Sequence, residues 1–118
     1  MYNIPVLRIF DYDKAKAFYI NWLGFQIDWE HRYEENFPLY LQISKGDLKF
    51  HLSEDHGDGT PGTKVFIEYT DDLKIWQEQL LSAEYKYYRP GLEDAPWGDR
   101  TMTLIDPFGN TLLFNEKV

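Results

Sequence analysis

The 118-residue chain contains no cysteine. Disulfides and thiolate chemistry are therefore excluded, and a reducing, cytoplasmic setting is expected. Basic residues are scarce: 12 Lys and Arg stand against 20 Asp and Glu, for a formal net charge of −8. A nucleic-acid partner requires a basic footprint, and none is visible. Long apolar runs are missing too, and no stretch approaches the roughly 20 residues that a membrane helix needs. The segment MYNIPVLRIFDYD has no basic stretch followed by an apolar one, so no signal peptide is expected. Nucleophile motifs are equally absent. There is no G-x-S-x-G elbow and no phosphate-binding glycine loop.

What the chain does have is rings. Aromatic residues make up 18%, with four Trp, nine Tyr and eight Phe. They give a small domain much buried area per residue, and they would equally line a cleft for a flat ligand. The length suits one domain with a modest core. The acidic balance suits a cationic partner, although solubility alone accounts for the sign.

The order of elements repeats. IPVLRIF (4–10) reads as a strand, and Asp13 reads as the N-cap of a helix. Ala15, Phe18, Tyr19, Trp22 and Leu23 then recur at helical spacing, and Gly24 ends the helix. Residues 25–31, 38–44 and 48–53 alternate apolar and polar and read as three strands. Residues 54–62 form a loop rich in acids, Gly and Pro. The plan then restarts with a strand at 64–69, a helix capped by Asp71 or Asp72, and a strand candidate YKYY (85–88). A loop containing Pro90, Gly91 and Pro96 follows. Strands at 99–105 and 111–116 flank a turn at 106–110. The expected fold is α+β: one domain over 1–118, built from two β-α-β-β-β modules, about 1–53 and about 63–118, joined by a linker of about 54–62.

Three pieces carry a resemblance. VLRIFDYDKAKAFYINWLGF (6–25) is a strand, an acid, an amphipathic helix and Leu-Gly-Phe. The paired modules are the second piece, and PWGDRTMTLIDPFGNTLLFNE (96–116) is the third. Together they resemble the glyoxalase/bleomycin-resistance superfamily, the vicinal oxygen chelate proteins, over nearly the whole chain. Trp97-Gly98 before Asp106-Pro107 resembles its bleomycin-resistance branch. The resemblance implies two curved half-barrel sheets around a cleft, with helices outside, and dimers whose clefts draw on both chains. Leu39, Leu41, Ile43, Leu48, Phe50 and Leu52 would then face the helices. Tyr40, Gln42, Lys49, His51 and Ser53 would face the cleft.

Metal-binding members of the superfamily use His, Glu or Gln from four strands. By the flanking motifs these places fall on Ile4 or Pro5, His51, Lys64 and Leu113. His51 alone can coordinate a cation, and one ligand does not make a site. No metal and no cofactor is therefore expected. The stretch HLSEDHGDGTPG (51–62) does not supply a site by itself either. An EF-hand loop would need Asp where Glu54 stands, Asp or Asn at His56 and Glu at Val65. His56, Asp58 and Gly59 read as turn chemistry. His51 stays open between presenting its imidazole to a ligand and donating to a neighbouring carboxylate. Glu30 with His31, or Glu54 with His51, can be drawn as acid–base pairs, but the spacing gives them no advantage over surface charges.

Bleomycin-resistance members sequester a cationic glycopeptide drug and stack its flat rings on a Trp and a Phe. Trp97 matches that Trp, and Phe37 resembles that Phe. The expected ligand-binding set is Trp97, Phe37, Tyr40, Gln42 and His51, with no catalytic residue. Trp97 has a plainer alternative, pinning its Pro- and Gly-rich loop. Trp22 and Trp76 are expected in the core, Trp29 packed with Phe25 and Ile27, and Arg8 paired with Glu68 across the cleft. The reading is a cytoplasmic, metal-independent binding protein for a small cationic aromatic ligand, a homodimer with neither nucleic acid nor membrane as partner. Two rivals remain: an enzyme on the same fold using His51, and a dimerisation module with a vestigial cleft.

Overall fold

The computed structural model describes residues 1–118 except Tyr33 and Lys86. The elements in chain order are β1 (Val6–Arg8), α1 (Tyr12–Ala15, continuing as π-helical turns over Lys16–Trp22), β2 (Gln26–His31), β3 (Tyr40–Lys45) and β4 (Leu48–Ser53). They are followed by β5 (Lys64–Glu68), α2 (Leu73–Ser82), β6 (Leu92–Asp94), β7 (Arg100–Ile105) and β8 (Thr111–Glu116). The strands form two four-stranded sheets in the orders β1-β4-β3-β2 and β5-β8-β7-β6. β1 runs parallel to β4 and β5 parallel to β8, and the other pairs are antiparallel. The repeated α+β plan expected from the sequence is therefore present as two sheets of identical topology.

Helix α1 forms where the apolar stripe predicts it. Ala15, Phe18, Tyr19, Trp22 and Leu23 are all buried; Tyr19 packs on Phe25 and on Phe50 of the first sheet, and Phe18 and Trp22 pack on Tyr85 of the second half. The cap is Asp11 and not Asp13: its Oδ1 accepts from the Lys14 amide at 3.0 Å. The first strand ends earlier than expected, so the acid that turns the chain into the helix is the first of the pair. Asp72 caps α2 in the same manner, accepting from the Ile75 amide. Gly24 closes α1 at φ +86°, a conformation that favours glycine.

The two halves are locked to each other by polar side chains inside an apolar core. The Tyr19 hydroxyl donates to Asp106 Oδ2 at 2.7 Å, and the Trp22 indole donates to the Leu80 carbonyl at 3.0 Å. Asn110 Nδ2 donates to the Arg8 carbonyl at 2.8 Å and to Asp106 Oδ2. Asp106 also accepts from the Phe108 and Asn110 amides, which shapes the 106–110 turn. Burial raises the Asp106 carboxyl above its ordinary range, against the pull of these hydrogen bonds.

Tyr85, Tyr87 and Tyr88 do not form the strand expected at 85–88. Tyr85, Tyr87 and Tyr88 lie outside the sheet, and Lys86 of that segment is outside the described residues. The strand that pairs β7 is β6, inside the stretch expected to be loop. The tyrosines are used as anchors instead: Tyr85 stacks on Trp22 at 4.5 Å, and the Tyr88 hydroxyl donates to the Thr103 carbonyl.

Candidate functional site

Each sheet turns one face to the buried core and the other outward. On the first sheet the core face carries Leu39, Leu41, Ile43, Phe50 and Leu52, all buried, with Leu48 half-buried beside them. The opposite face brings Tyr40, Gln42 and His51 together, as the alternation predicts. The Tyr40 hydroxyl lies 2.7 Å from His51 Nδ1, and His51 Nε2 lies 3.0 Å from Gln42 Oε1. Gln42 Nε2 in turn donates to Asp28 Oδ2 at 2.9 Å.

Directions follow from the end of this chain. A carboxylate only accepts, so the Gln42 amide must turn its NH₂ to Asp28 and its oxygen to His51. His51 then carries its proton on Nε2, and Tyr40 donates to the bare Nδ1. His51 thus reaches a carboxylate through an amide relay, not directly. Burial lowers its pKa and so favours the neutral ring. Asp28 also accepts from Ser44 and Gln26. Its hydrogen bonds from Gln42 and Ser44 hold its carboxyl below the ordinary range.

A β-bulge adds two residues to this face. The β2–β3 register shifts between Ile27 and Trp29, so Asp28 and Trp29 both stand opposite Gln42. Trp29 is therefore not packed with Phe25 and Ile27 as expected. It is exposed, lies nearly parallel to Tyr40 at 6.0 Å, and meets His51 edge-on at 5.2 Å. Strict alternation assigns it the other face; a bulge leaves no mark in a period-two reading.

The second sheet presents its own hollow, of about 430 Å³, lined by Lys64, Phe66, Glu68, Trp97, Asp99, Leu113 and Asn115. Trp97 is 56% exposed, yet its indole N–H donates to Asn115 Oδ1 at 2.8 Å. That bond holds the loop and leaves the ring face open. Phe66, half exposed, sits 6.3 Å from Trp97. Asn115 is buried and donates to Asp99 at 3.0 Å and to Glu68 at 3.4 Å. Two open rings thus border two carboxylates. Phe66 was missed in the sequence, although the alternation of Lys64, Phe66 and Glu68 against Val65 and Ile67 marks it as outward-facing.

Phe37 is exposed on the loop before β3, where the Arg32 guanidinium holds its carbonyl at 2.6 Å. Among the described residues it makes no ring contact with Trp97 or with the Tyr40–His51 group. Arg8 and Glu68 do not pair. Arg8 lies over the Phe10 ring at 4.6 Å, and Glu68 is bonded to Asn115. Ser53 is buried and donates to Asp58, and Asp55 closes a turn by accepting from the Gly57 amide, so the 51–62 stretch is strand end followed by loop.

A divalent ion, which part of the superfamily holds in this cleft, does not fit here. The His51 ring nitrogens are both committed to Tyr40 and Gln42. Lys64 and Leu113 stand on the other sheet with an ammonium and a methyl group to offer. Among the described residues, no three His, Asp or Glu side chains converge as a metal site. Nor is any helix long and apolar enough to cross a membrane, again among the described residues.

Comparison with known proteins agrees with this architecture. Residues 2–118 match the model of a family described as glyoxalase superfamily protein. Bleomycin resistance proteins from Geobacillus stearothermophilus and Staphylococcus aureus are each 24% identical to the chain, over 98% of it and 96% of their own length. A bleomycin-binding protein from Streptomyces verticillus, solved with copper(II)-bleomycin, superposes with a TM-score of 0.74 at 25% identity, covering 100% of this chain and 97% of that one. The chain belongs to the glyoxalase superfamily, on its bleomycin-resistance branch.

Proposed function

We propose that the protein binds a small cationic aromatic molecule, of the bleomycin type, and sequesters it unchanged in the cytoplasm. The single observation that carries this reading is the hollow on the second sheet, where the open faces of Trp97 and Phe66 border Glu68 and Asp99. A ring stacked on Trp97 contributes about 0.5–1.5 kcal/mol beyond area burial. A cation over the same rings adds about 0.5–2 kcal/mol. The relatives' names point to the same ligand class.

In this reading the first sheet supplies the second wall. Tyr40, Gln42 and His51, with Trp29 and Asp28, offer rings, a neutral imidazole and a carboxylate. Phe37, exposed on the loop before β3, would reach the ligand from there. Among the described residues, no hydrogen bond or ring contact joins this group to the Trp97 hollow. A homodimer that faces the first sheet of one chain with the second sheet of its partner would bring the two groups onto one ligand. Such a dimer would carry a formal charge of 2 × (−8) = −16, a field that draws cations within about 8 Å at physiological salt.

Metal-free bleomycin titrated into the protein tests the reading. Saturable quenching of tryptophan emission that weakens as salt rises is expected, because Trp29 and Trp97 are the exposed indoles. No saturable response at low salt would refute it. Turnover of a substrate that is abolished in His51→Ala would favour the enzyme reading instead.

A further inference from the structure

A second cavity, of about 500 Å³, lies away from both ring clusters, at the junction of the two halves. Its walls are Lys14 and Ala17 of α1, the tyrosines of segment 85–88, and the end of β7 at Ile105–Pro107. The volume falls in the range of small-molecule sites, which favour such junctions.

The two helix–sheet junctions of the repeat are built differently. Strands β3 and β7 hold the same place in their sheets and end at Lys45 and Ile105. Helices α1 and α2 are capped alike, so Ala15 corresponds to Trp76: their amides bond to the Asp11 and Asp72 carbonyls. Where α2 meets the end of β3, Trp76 fills the junction and Lys45 lies over its ring at 5.4 Å. At the other junction Ala15 lies beside Leu41 and Leu52 of the first sheet, the α1 residues that line the space near the end of β7 are Lys14 and Ala17, and the cavity is open.

The polar groups facing this space define its ligand. Among the described residues, no carboxylate lies within ion-pair reach of the Lys14 ammonium, and the Tyr85 hydroxyl has no hydrogen-bond partner. Asp106 also lines the cavity, but both of its oxygens are taken: Oδ1 by the Phe108 and Asn110 amides, Oδ2 by Tyr19 and the Asn110 side chain. Among the described residues, the polar groups left free here are a cation and a hydroxyl donor, set among tyrosine rings, Ala17, Ile105 and Pro107, with the Asp106 charge acting on Tyr85 from the cavity wall. We infer that this junction cavity is a binding site for a small planar aromatic monoanion, a carboxylate or sulfonate, with its charge on Lys14 and its ring among the tyrosines. Its ligand is opposite in charge to that proposed for the Trp97 hollow.

The probe is 8-anilino-1-naphthalenesulfonate, a planar aromatic monoanion, titrated at low salt into protein with native near-ultraviolet circular dichroism. Saturable enhancement with one probe per chain is expected. Lys14→Gln, at an exposed position, should weaken binding about three- to fivefold, the range of a single exposed ion pair. Ala17→Trp, which fills the space, should abolish it. Trp97→Ala should leave it unchanged. Equal affinity in the parent and Lys14→Gln would overturn the inference. Loss of binding in Trp97→Ala, or the absence of saturation in the parent, would do so as well. If Ala17→Trp does not fold, the Lys14→Gln and Trp97→Ala comparison decides alone.

Discussion

At the scale of single residues, His51 shows how context decides chemistry. Burial depresses its imidazole below the ordinary value of 6.5. As pH falls, the unfolded chain therefore takes up that proton before the folded one does. The contribution of the neutral ring is full above about pH 6.5 and is lost as pH falls through the folded value. Urea denaturation of the parent and His51→Asn should show their stability difference shrinking as pH drops from about 8 to 5. A constant difference would remove His51 as the titrating group. Tyr19 makes a sharper case, because its hydroxyl serves a buried carboxylate. Tyr19→Phe should cost roughly 1–3 kcal/mol, a fall of roughly 4–12 °C in Tm by calorimetry. An unchanged Tm would mean that Asn110 and the backbone amides suffice for Asp106.

At the scale of elements, the legible parts were those with a clean period. The stripe Ala15, Phe18, Tyr19, Trp22, Leu23 gave α1 and its buried face, and alternation in β3 and β4 gave Tyr40, Gln42 and His51 on one side. Elements set by tertiary contacts were not legible. YKYY has strand-forming residues, yet its rings find better partners in Trp22 and the Thr103 carbonyl. The short strand β6 hid in a segment bounded by Pro and Gly. The bulge in β2 cost the most, since it moves Trp29 and Asp28 into the candidate site. Because Ile27 pairs with Ile43 and Trp29 with Gln42 on either side of it, deleting Asp28 should close the bulge without changing the register. The variant should keep its fold, with Tm lowered by only about 4 °C, a cost near 1 kcal/mol. Unfolding on deletion would show that the bulge is required for pairing.

At the scale of the whole molecule, duplication gives two sheets of one topology with different outward faces. One bears a histidine held by an amide relay, and the other bears open rings beside carboxylates. The motifs of the chain specified the common frame, which is why family membership could be read early. The faces differ residue by residue, and Phe66, Glu68 and Asp99 become a group only when β5, β8 and the Trp97 loop meet at Asn115. The central claim is that this group grips a flat cation without metal. Calorimetric titration of metal-free bleomycin in chelator-containing buffer, into the parent and Trp97→Ala, tests it most directly. Saturable binding by the parent, weakened at least about tenfold in the variant through loss of roughly 1.4 kcal/mol or more, is the predicted result. Equal affinities in the two proteins, or binding that vanishes in the parent once metal is chelated, would contradict it.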